Sequence, residues 1–177
     1  MSRVNLDTQR SPAASQPLLT QIHGAFGATP NMFKAVSNSP AALQSMWAAF
    51  GALGKGSIGA LLGEQIAVAI ANRNRCEYCL AAHTVLGQNA GASAAQMAEA
   101  QVGRSADAKT SAALAFALKV VEQRAQIGDA DVAALREAGF GDEQIVEIMA
   151  HIALNLFTNY VNVAFDVPVD FPKIALK

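Results

Sequence analysis

The sequence predicts an all-α protein, and three observations lead to this class. Alanine, the best helix former, recurs along a chain that is 52% hydrophobic. β-branched residues do not dominate, and aromatic residues make up only 6%. Apolar residues recur at helical spacing, and even VVE (120–122) and VNVAF (161–165) fit that spacing better than the alternation of a strand. Because 177 residues suit one core, we expect a single helical domain.

The N-terminal part of the chain is predicted to contain an arm and three helices. Residues 1–15 are polar and contain a proline, so we expect a flexible arm followed by one all-helical domain at 16–177. Gln16–Phe26 places four apolar residues on one helical face. GATPN interrupts this pattern, and a short helix follows at 32–36. Pro40–Leu53 is the third helix, since a helix accepts proline in its first turn.

The middle of the chain is predicted to contain three more helices. The first covers about 59–71 and stops where the polar stretch NRNR (72–75) interrupts the apolar pattern, so the chain should bend there. The second begins near Cys76 and ends at Gly91. Ser93 is placed to cap a further short helix.

Aspartate residues mark the beginnings of the last three predicted helices. Asp107 precedes a long helix that reaches about residue 125, and Asp129 opens a shorter one that stops at Gly139. Asp142 precedes the last helix, at about 143–165, and two prolines follow it.

Composition excludes several kinds of partner. The net charge is −1, with no basic stripe or acidic tail, so we expect neither nucleic acid nor an anionic membrane surface as a partner.

The most apolar segment, IGALLGEQIAVAIA, contains Glu64 and is too short to span a bilayer. The N-terminus lacks the apolar core of a secretory signal, which predicts a cytoplasmic protein. With only 15% charged residues, a monomer would expose much apolar surface, so we expect a homo-oligomer.

The reactive residues of the chain are concentrated in RCEYCLAAH (75–83). Cys76 and Cys79 are the only cysteines, and with His83 they fall on one helical face at i, i+3 and i+7. Cα atoms at i and i+3 lie roughly 5 Å apart, which a disulfide accepts, so the pair can switch between dithiol and disulfide. A helix that begins at Cys76 would favour a thiolate through its free N–H groups, and Arg73 and Arg75 either add positive potential or are solvated.

His83 and Glu64 are the candidate proton carriers. An imidazole with an ordinary pKa of about 6.5 can accept and return protons near neutral pH. Glu64 lies inside an apolar run, and it can reach the cysteines if the helices fold back at NRNR. A solvated glutamate on an amphipathic helix remains the alternative interpretation.

Two other interpretations of the cysteines remain open. A zinc site would need a fourth ligand besides the two thiolates and His83, and only His23, His151 and carboxylates remain. The cysteines could also be plain buried apolar residues. The chain has no GxGxxG, P-loop or nucleophile elbow, so we expect no bound cofactor and no metal.

These residues resemble the alkyl hydroperoxidase D / carboxymuconolactone decarboxylase-like family. Its motif is a glutamate, eleven residues, CxxC, three residues and a histidine, and Glu64, Cys76, Cys79 and His83 match every spacing. The flanks GATPNMFKAVSNSPAAL and AHIALNLFTNYVNVAFDVPVDFP are similar to the peroxidase-related branch. The resemblance covers about residues 24–172.

The resemblance implies an all-α bundle with a peroxiredoxin-type activity. It also implies a symmetric oligomer, a trimer or hexamer, with a dimer as the alternative. By that resemblance, Cys79 attacks hydrogen peroxide or an organic hydroperoxide, Cys76 resolves the sulfenic acid to a disulfide, and Glu64 and His83 relay protons. An external dithiol donor, of lipoyl or thioredoxin type, would then reduce the disulfide.

One position departs from the family motif. Alkyl hydroperoxidase D has a histidine just before the second cysteine that joins the relay, and here Tyr78 takes its place. A phenol is a poor proton acceptor near pH 7, so the relay should be shorter and peroxide turnover slower. The family's lactone decarboxylases lack CxxC, which makes decarboxylation the alternative activity. A redox-sensing helical module without catalysis is a further alternative.

A row of polar residues in the last helix is a second candidate for the pocket. His151, Asn155 and Asn159 follow one another at i, i+4 and i+8. They would line the pocket or a subunit contact, and a hydrogen-bonded core histidine is the other interpretation of His151.

Overall fold

The computed structural model describes residues 2–177, and over these residues it contains nine α-helices and no strand. Two 3-10 turns, Thr8–Arg10 and Ala13–Ser15, precede the helices. The helices are α1 (Gln16–Phe26), α2 (Asn31–Val36), α3 (Pro40–Leu53), α4 (Ala60–Arg73), α5 (Glu77–Asn89), α6 (Ala94–Ala100), α7 (Ala108–Glu122), α8 (Asp129–Glu137) and α9 (Asp142–Ala164). The predicted all-α class is confirmed.

Several predicted helix ends differ by two or three residues from the observed ones, and two of these differences have identifiable reasons. α4 continues through half of NRNR, because Arg73 extends from the surface to pair with Glu122 while its backbone stays helical. α7 stops at Glu122, short of the predicted residue 125. Arg124 and Ala125 there have φ of +52° and +63°, which no right-handed helix accommodates.

Helix α4 lies at the centre of the domain. Every residue from Gln65 to Ala71 is buried, and α4 packs against α5, α7 and α9. Alanine side chains along this stretch let the neighbouring helices approach closely, which explains why so alanine-rich a segment forms the core.

A tight turn after α4 sets the position of the next helix. The chain reverses at Arg75, whose φ of +57° lies in the left-handed region. α5 therefore folds back along α4, and its residues face Glu64 across the hairpin. The bend predicted at NRNR is thus present, and it lies at Arg75, the last residue of that stretch.

The loop before α4 is attached to α9 mainly through the carboxylate of Glu147. Glu147 Oε2 accepts hydrogen bonds from the backbone N–H groups of Ser57 at 2.7 Å and Ile58 at 3.0 Å. These bonds hold the start of α4 against α9, and they lower the pKa of Glu147.

The N-terminal segment lies against the helical body. The backbone N–H of Arg3 donates to Phe165 O at 2.8 Å, and the buried Ser15 hydroxyl donates to Ser37 O at 2.8 Å. These contacts locate the described part of residues 1–15, and the flexibility of that arm stays a prediction. No helix within residues 2–177 is both long and apolar enough to cross a membrane.

Candidate active site

Both cysteine sulfurs lie at the N-terminal end of α5. Cys76 is the N-cap residue, and its Sγ accepts a hydrogen bond from the backbone N–H of Cys79 at 3.3 Å. Both residues are only 1% exposed, and both are free thiols. The cap geometry explains why this helix begins at the first cysteine, as its sequence predicts.

Helix α9 supplies hydrogen-bonding partners for the second cysteine. Asn162 Nδ2 donates to Cys79 Sγ at 3.1 Å, and Thr158 Oγ1 lies 4.0 Å from the same sulfur. Burial raises the pKa of Cys79, but hydrogen bonds with Cys76, Asn162 and Thr158 outweigh burial and bring the pKa below its ordinary value. Cys79 is therefore the more acidic thiol and the better source of a thiolate.

The thiol of Cys76 is, in contrast, less acidic than an ordinary cysteine, because its pKa is raised. Its hydrogen bond with Cys79 is the largest cause that raises the pKa of Cys76, and burial adds to it. The thiol of Cys76 thus stays protonated while Cys79 ionises. The arginines suggested by the sequence do not supply the stabilisation, since Arg73 pairs with Glu122 and Arg75 is exposed.

His83 and Glu64 form a short, buried contact across the α4–α5 hairpin. His83 Nδ1 lies 2.7 Å from Glu64 Oε2, and the side chains are 10% and 22% exposed. Burial lowers the pKa of His83, but the charge of Glu64 and the hydrogen bond to it raise the pKa above its ordinary value. Glu64 is therefore not the solvated surface residue of the alternative interpretation.

An aromatic cavity of about 220 Å³ connects these groups. Glu64, Cys79 and His83 all lie in its wall, so the acidic thiol and the Glu64–His83 pair face one space. The aromatic residues in the wall are Phe26, Phe33, Trp47, Phe50, Tyr78 and Phe171. We call this space the aromatic cavity.

Tyr78 forms part of the cavity wall, and neighbouring groups hold its phenol in place. Its hydroxyl oxygen accepts a hydrogen bond from Met32 N at 3.2 Å, and its ring meets Phe171 edge-on at 5.7 Å between centroids. Burial raises the pKa of Tyr78. The phenol thus holds α2 and the C-terminal segment against α5.

His151 and Asn155 do not line the aromatic cavity. The imidazole packs on Gly63, where an added Cβ would lie 2.9 Å from His151 Cε1. Asn155 Nδ2 donates to His151 O at 2.9 Å within their own helix. Burial lowers the pKa of His151, which favours the neutral form of this histidine.

The sequence analysis did not identify the α9 residues that contact Cys79. It followed the row His151, Asn155 and Asn159, of which Asn159 contributes to lowering the pKa of Cys79. It did not single out Thr158 and Asn162, which lie four residues apart on an adjoining strip of the helix and contact the sulfur directly. A usable signal was present, because polar residues inside an apolar helix need a buried partner, and NYVN contains two of them.

Replacing Asn162 should make Cys79 less acidic. Asn162→Leu removes the amide that donates to the sulfur, and a hydrogen bond to a charged group contributes about 1.5–3 kcal/mol, so we expect a rise of about one to two pKa units. The ultraviolet absorbance of the thiolate and the pH dependence of alkylation measure this pKa. Asn155→Leu makes the same change in the same helix away from the sulfur and should leave the profile in place. An unshifted profile in Asn162→Leu would contradict the assigned hydrogen bond.

The zinc interpretation has no matching cluster in the structure. Within residues 2–177, no three His, Cys, Asp or Glu side chains are grouped as a metal site requires. His23 lies instead beside Thr29, with its Nδ1 3.4 Å from the hydroxyl oxygen.

A family profile matches the middle of the chain. Residues 40–123, a little under half of the sequence, match the Carboxymuconolactone decarboxylase family. No curated protein matches the chain by sequence.

Solved structures resemble almost the whole chain. An uncharacterized peroxidase-related protein from Silicibacter sp. TM1040 is 26% identical with a TM-score of 0.83, over 98% of this chain and 92% of that one. An uncharacterized peroxidase-related protein from Ralstonia eutropha JMP134, described as an alkylhydroperoxidase AhpD core, is 25% identical with a TM-score of 0.84, over 96% and 92%. The debrominase Bmp8 is 20% identical with a TM-score of 0.76, over 94% of each chain, which shows a shared fold alone.

Proposed function

Because the chain belongs to the alkyl hydroperoxidase D / carboxymuconolactone decarboxylase-like family, we propose that it is a thiol peroxidase that reduces hydroperoxides through Cys79 and Cys76. The family supports a peroxidase-related or carboxymuconolactone decarboxylase-like role. One observation carries the finer proposal: an acidified thiol and a hydrogen-bonded Glu64–His83 pair face the same cavity.

The first chemical step uses the polar groups in that cavity wall, Cys79, His83 and Glu64. The Cys79 thiolate attacks one oxygen of the hydroperoxide, the O–O bond breaks, and the sulfur becomes a sulfenic acid. The departing alkoxide needs a proton, and the protonated His83 supplies it. Glu64 favours the protonated form of His83 by raising its pKa, which favours a proton donor beside the bound peroxide.

The second step closes the disulfide. The sulfur of Cys76 attacks the sulfenic sulfur of Cys79, hydroxide leaves with a proton as water, and an S–S bond joins the pair. The separation of an i, i+3 pair at a helix start permits this bond with little backbone movement. An external dithiol, of lipoyl or thioredoxin type, returns the two thiols, and the cycle uses no bound cofactor or metal.

The aromatic cavity favours an organic hydroperoxide over hydrogen peroxide. Its wall is built from six aromatic rings, and burying apolar substrate surface there contributes about 25 cal/mol per Å². Hydrogen peroxide has no apolar surface to bury.

The outer face of α9 supports a homo-oligomer. Val146, Phe157 and Tyr160 fall on one face and are 69%, 38% and 62% exposed. Such an apolar strip is typical of a subunit contact. We propose a symmetric cytoplasmic oligomer, a trimer or hexamer, or alternatively a dimer.

The family profile favours a lactone decarboxylase-type enzyme as the second candidate. In that case the Glu64–His83 pair would move a substrate proton, and the cysteines would not react. Activity that survives complete thiol alkylation would identify this candidate.

The test is a stopped-flow reaction of the reduced protein with peroxides, followed by thiol counting. Trp47, the only tryptophan, lines the cavity and reports the reaction by fluorescence. We expect the count to fall from two free thiols per chain to none, at least about tenfold faster with cumene hydroperoxide than with hydrogen peroxide. Protein alkylated beforehand is the control. Two thiols that persist in excess peroxide would refute the peroxidase.

A further inference from the structure

The two sulfurs of the cysteine pair line different cavities. Cys79 lies in the wall of the aromatic cavity, whereas Cys76 lies in the wall of a second cavity of about 490 Å³. The second cavity lies between the first turn of α5, the end of α9 and the segment 166–173. Tyr78 lines both cavities and forms part of the partition between them.

The second cavity differs from the first in chemical character. Charged residues of both signs lie around it and are all exposed: Arg75, Glu77, Asp166 and Lys173. Asn162 also lines it, and the Oδ1 atom of this buried side chain has no hydrogen-bond partner within residues 2–177. We call this space the polar cavity. It suits a hydrophilic molecule with hydrogen-bonding groups, which the aromatic cavity does not.

We propose that the polar cavity is the binding site of the electron donor, a slender hydrophilic dithiol whose thiolate attacks Sγ of Cys76 in the oxidised protein. This inference rests on the redox cycle of the proposed function and adds a second, separate binding site to it. Peroxide and reductant would then reach the same cysteine pair from two different cavities.

The hydrogen bonds of the site direct the attack to Cys76. When the donor thiolate bonds to Cys76 Sγ, the Cys76–Cys79 bond breaks, and its electron pair leaves on Cys79 Sγ. Asn162 Nδ2, 3.1 Å from that sulfur, stabilises the departing thiolate. Thiols of lower pKa leave faster in thiol–disulfide exchange, so the acidity of Cys79 favours this direction.

The second half of the exchange completes the electron balance. The donor's other thiolate attacks its own sulfur in the mixed disulfide, which frees Cys76 as a thiolate that takes a proton. The donor leaves as a disulfide, oxidised by two electrons, and the protein regains both thiols. The depth of Cys76, which is 1% exposed, favours a narrow dithiol over a thiol fixed on the surface of a folded donor.

The first experiment locates the attacked sulfur in the unmodified protein. The disulfide is made with diamide, 2-mercaptoethanol is added, and the reaction is quenched within its first turnover by excess N-ethylmaleimide. Fragmentation mass spectrometry then assigns the two labels. We expect mercaptoethanol on Cys76 and maleimide on Cys79 in at least about nine of ten labelled chains, because the thiol of lower pKa is the faster leaving group. The reverse pattern, or an even mixture, would overturn the inference.

The second experiment separates the two cavities with matched substitutions. Val163→Trp narrows the polar cavity, and Leu86→Trp narrows the aromatic cavity. We expect Val163→Trp to slow reduction of the disulfide by dithiothreitol about tenfold and to change the peroxide reaction less than twofold, as loss of access to one site predicts. Leu86→Trp should show the opposite pattern. Equal effects on both reactions by either variant would overturn the separation of the sites.

These measurements distinguish failure of the inference from failure of the proposed function. Because diamide makes the disulfide, the reduction step is measured without any peroxide. A wild-type protein that ignores peroxides but gives the Cys76 adduct refutes only the peroxidase. A protein that reduces peroxides but gives the Cys79 adduct refutes only the polar cavity as donor site.

Discussion

Cys79→Ser should abolish peroxide turnover, with a loss of more than about a thousandfold in kcat/KM. The serine hydroxyl keeps the shape of the site, but it has no accessible anionic form at pH 7 and cannot replace the thiolate that Asn162 and Thr158 stabilise. Coupled consumption of a dithiol in the presence of cumene hydroperoxide measures the loss.

Cys76→Ser is the matched control, because it removes the other sulfur of the same motif. This variant should still react once with peroxide and then stop as a sulfenic acid, since no thiol remains to form the disulfide. Mass spectrometry should find one added oxygen on Cys79. Helical circular dichroism should be unchanged in both variants. If Cys79→Ser instead gained one oxygen on Cys76 and stopped, while Cys76→Ser stayed unoxidised, the roles of the two sulfurs would have to be exchanged.

Local patterns in the sequence determine most of the fold and the pairing of the motif residues. Caps and breaks such as Ser93, Asp107 and Pro40 act within a few residues of themselves, and the helices begin where these residues predict. The contact between Glu64 and His83 also follows from local information, since both flank one hairpin and its turn is short. The spacing of the motif is thus the spacing of two antiparallel helices in contact.

Contacts between helices that are distant in sequence could not be predicted in this way. Cys79 and Asn162 are 83 residues apart, and no pattern within either helix specifies which strip of α9 faces α5. The sequence therefore favoured the row of His151 and Asn155, while packing turned the neighbouring strip toward the sulfur. The two cavities likewise depend on the C-terminal segment after α9, which contributes Phe171 to one and Lys173 to the other.

Glu64→Gln should move the alkaline limb of the pH–rate profile to lower pH. The reaction needs the Cys79 thiolate and a protonated His83, so activity rises through the pKa of Cys79 and falls through that of His83. Burial lowers the pKa of His83 and the Glu64 carboxylate raises it. Without the carboxylate, burial becomes the dominant influence and the pKa of His83 falls. At pH 7 we expect about a hundredfold lower kcat/KM, the usual size of a lost general acid.

The same substitution should change how stability depends on pH. In the folded wild type the pKa of His83 is raised above its ordinary value, so its contribution is fully present below about pH 6.5 and is lost as pH rises through the folded pKa. Glu64→Gln removes this contribution, and the fall in Tm relative to wild type should be larger at about pH 5 than at about pH 9.

The control for the pH–rate profile is Glu147→Gln, which removes a carboxylate from the α3–α4 loop contact and should leave the alkaline limb unmoved. An alkaline limb that stays in place in Glu64→Gln would mean that His83 does not donate the proton to the leaving alkoxide.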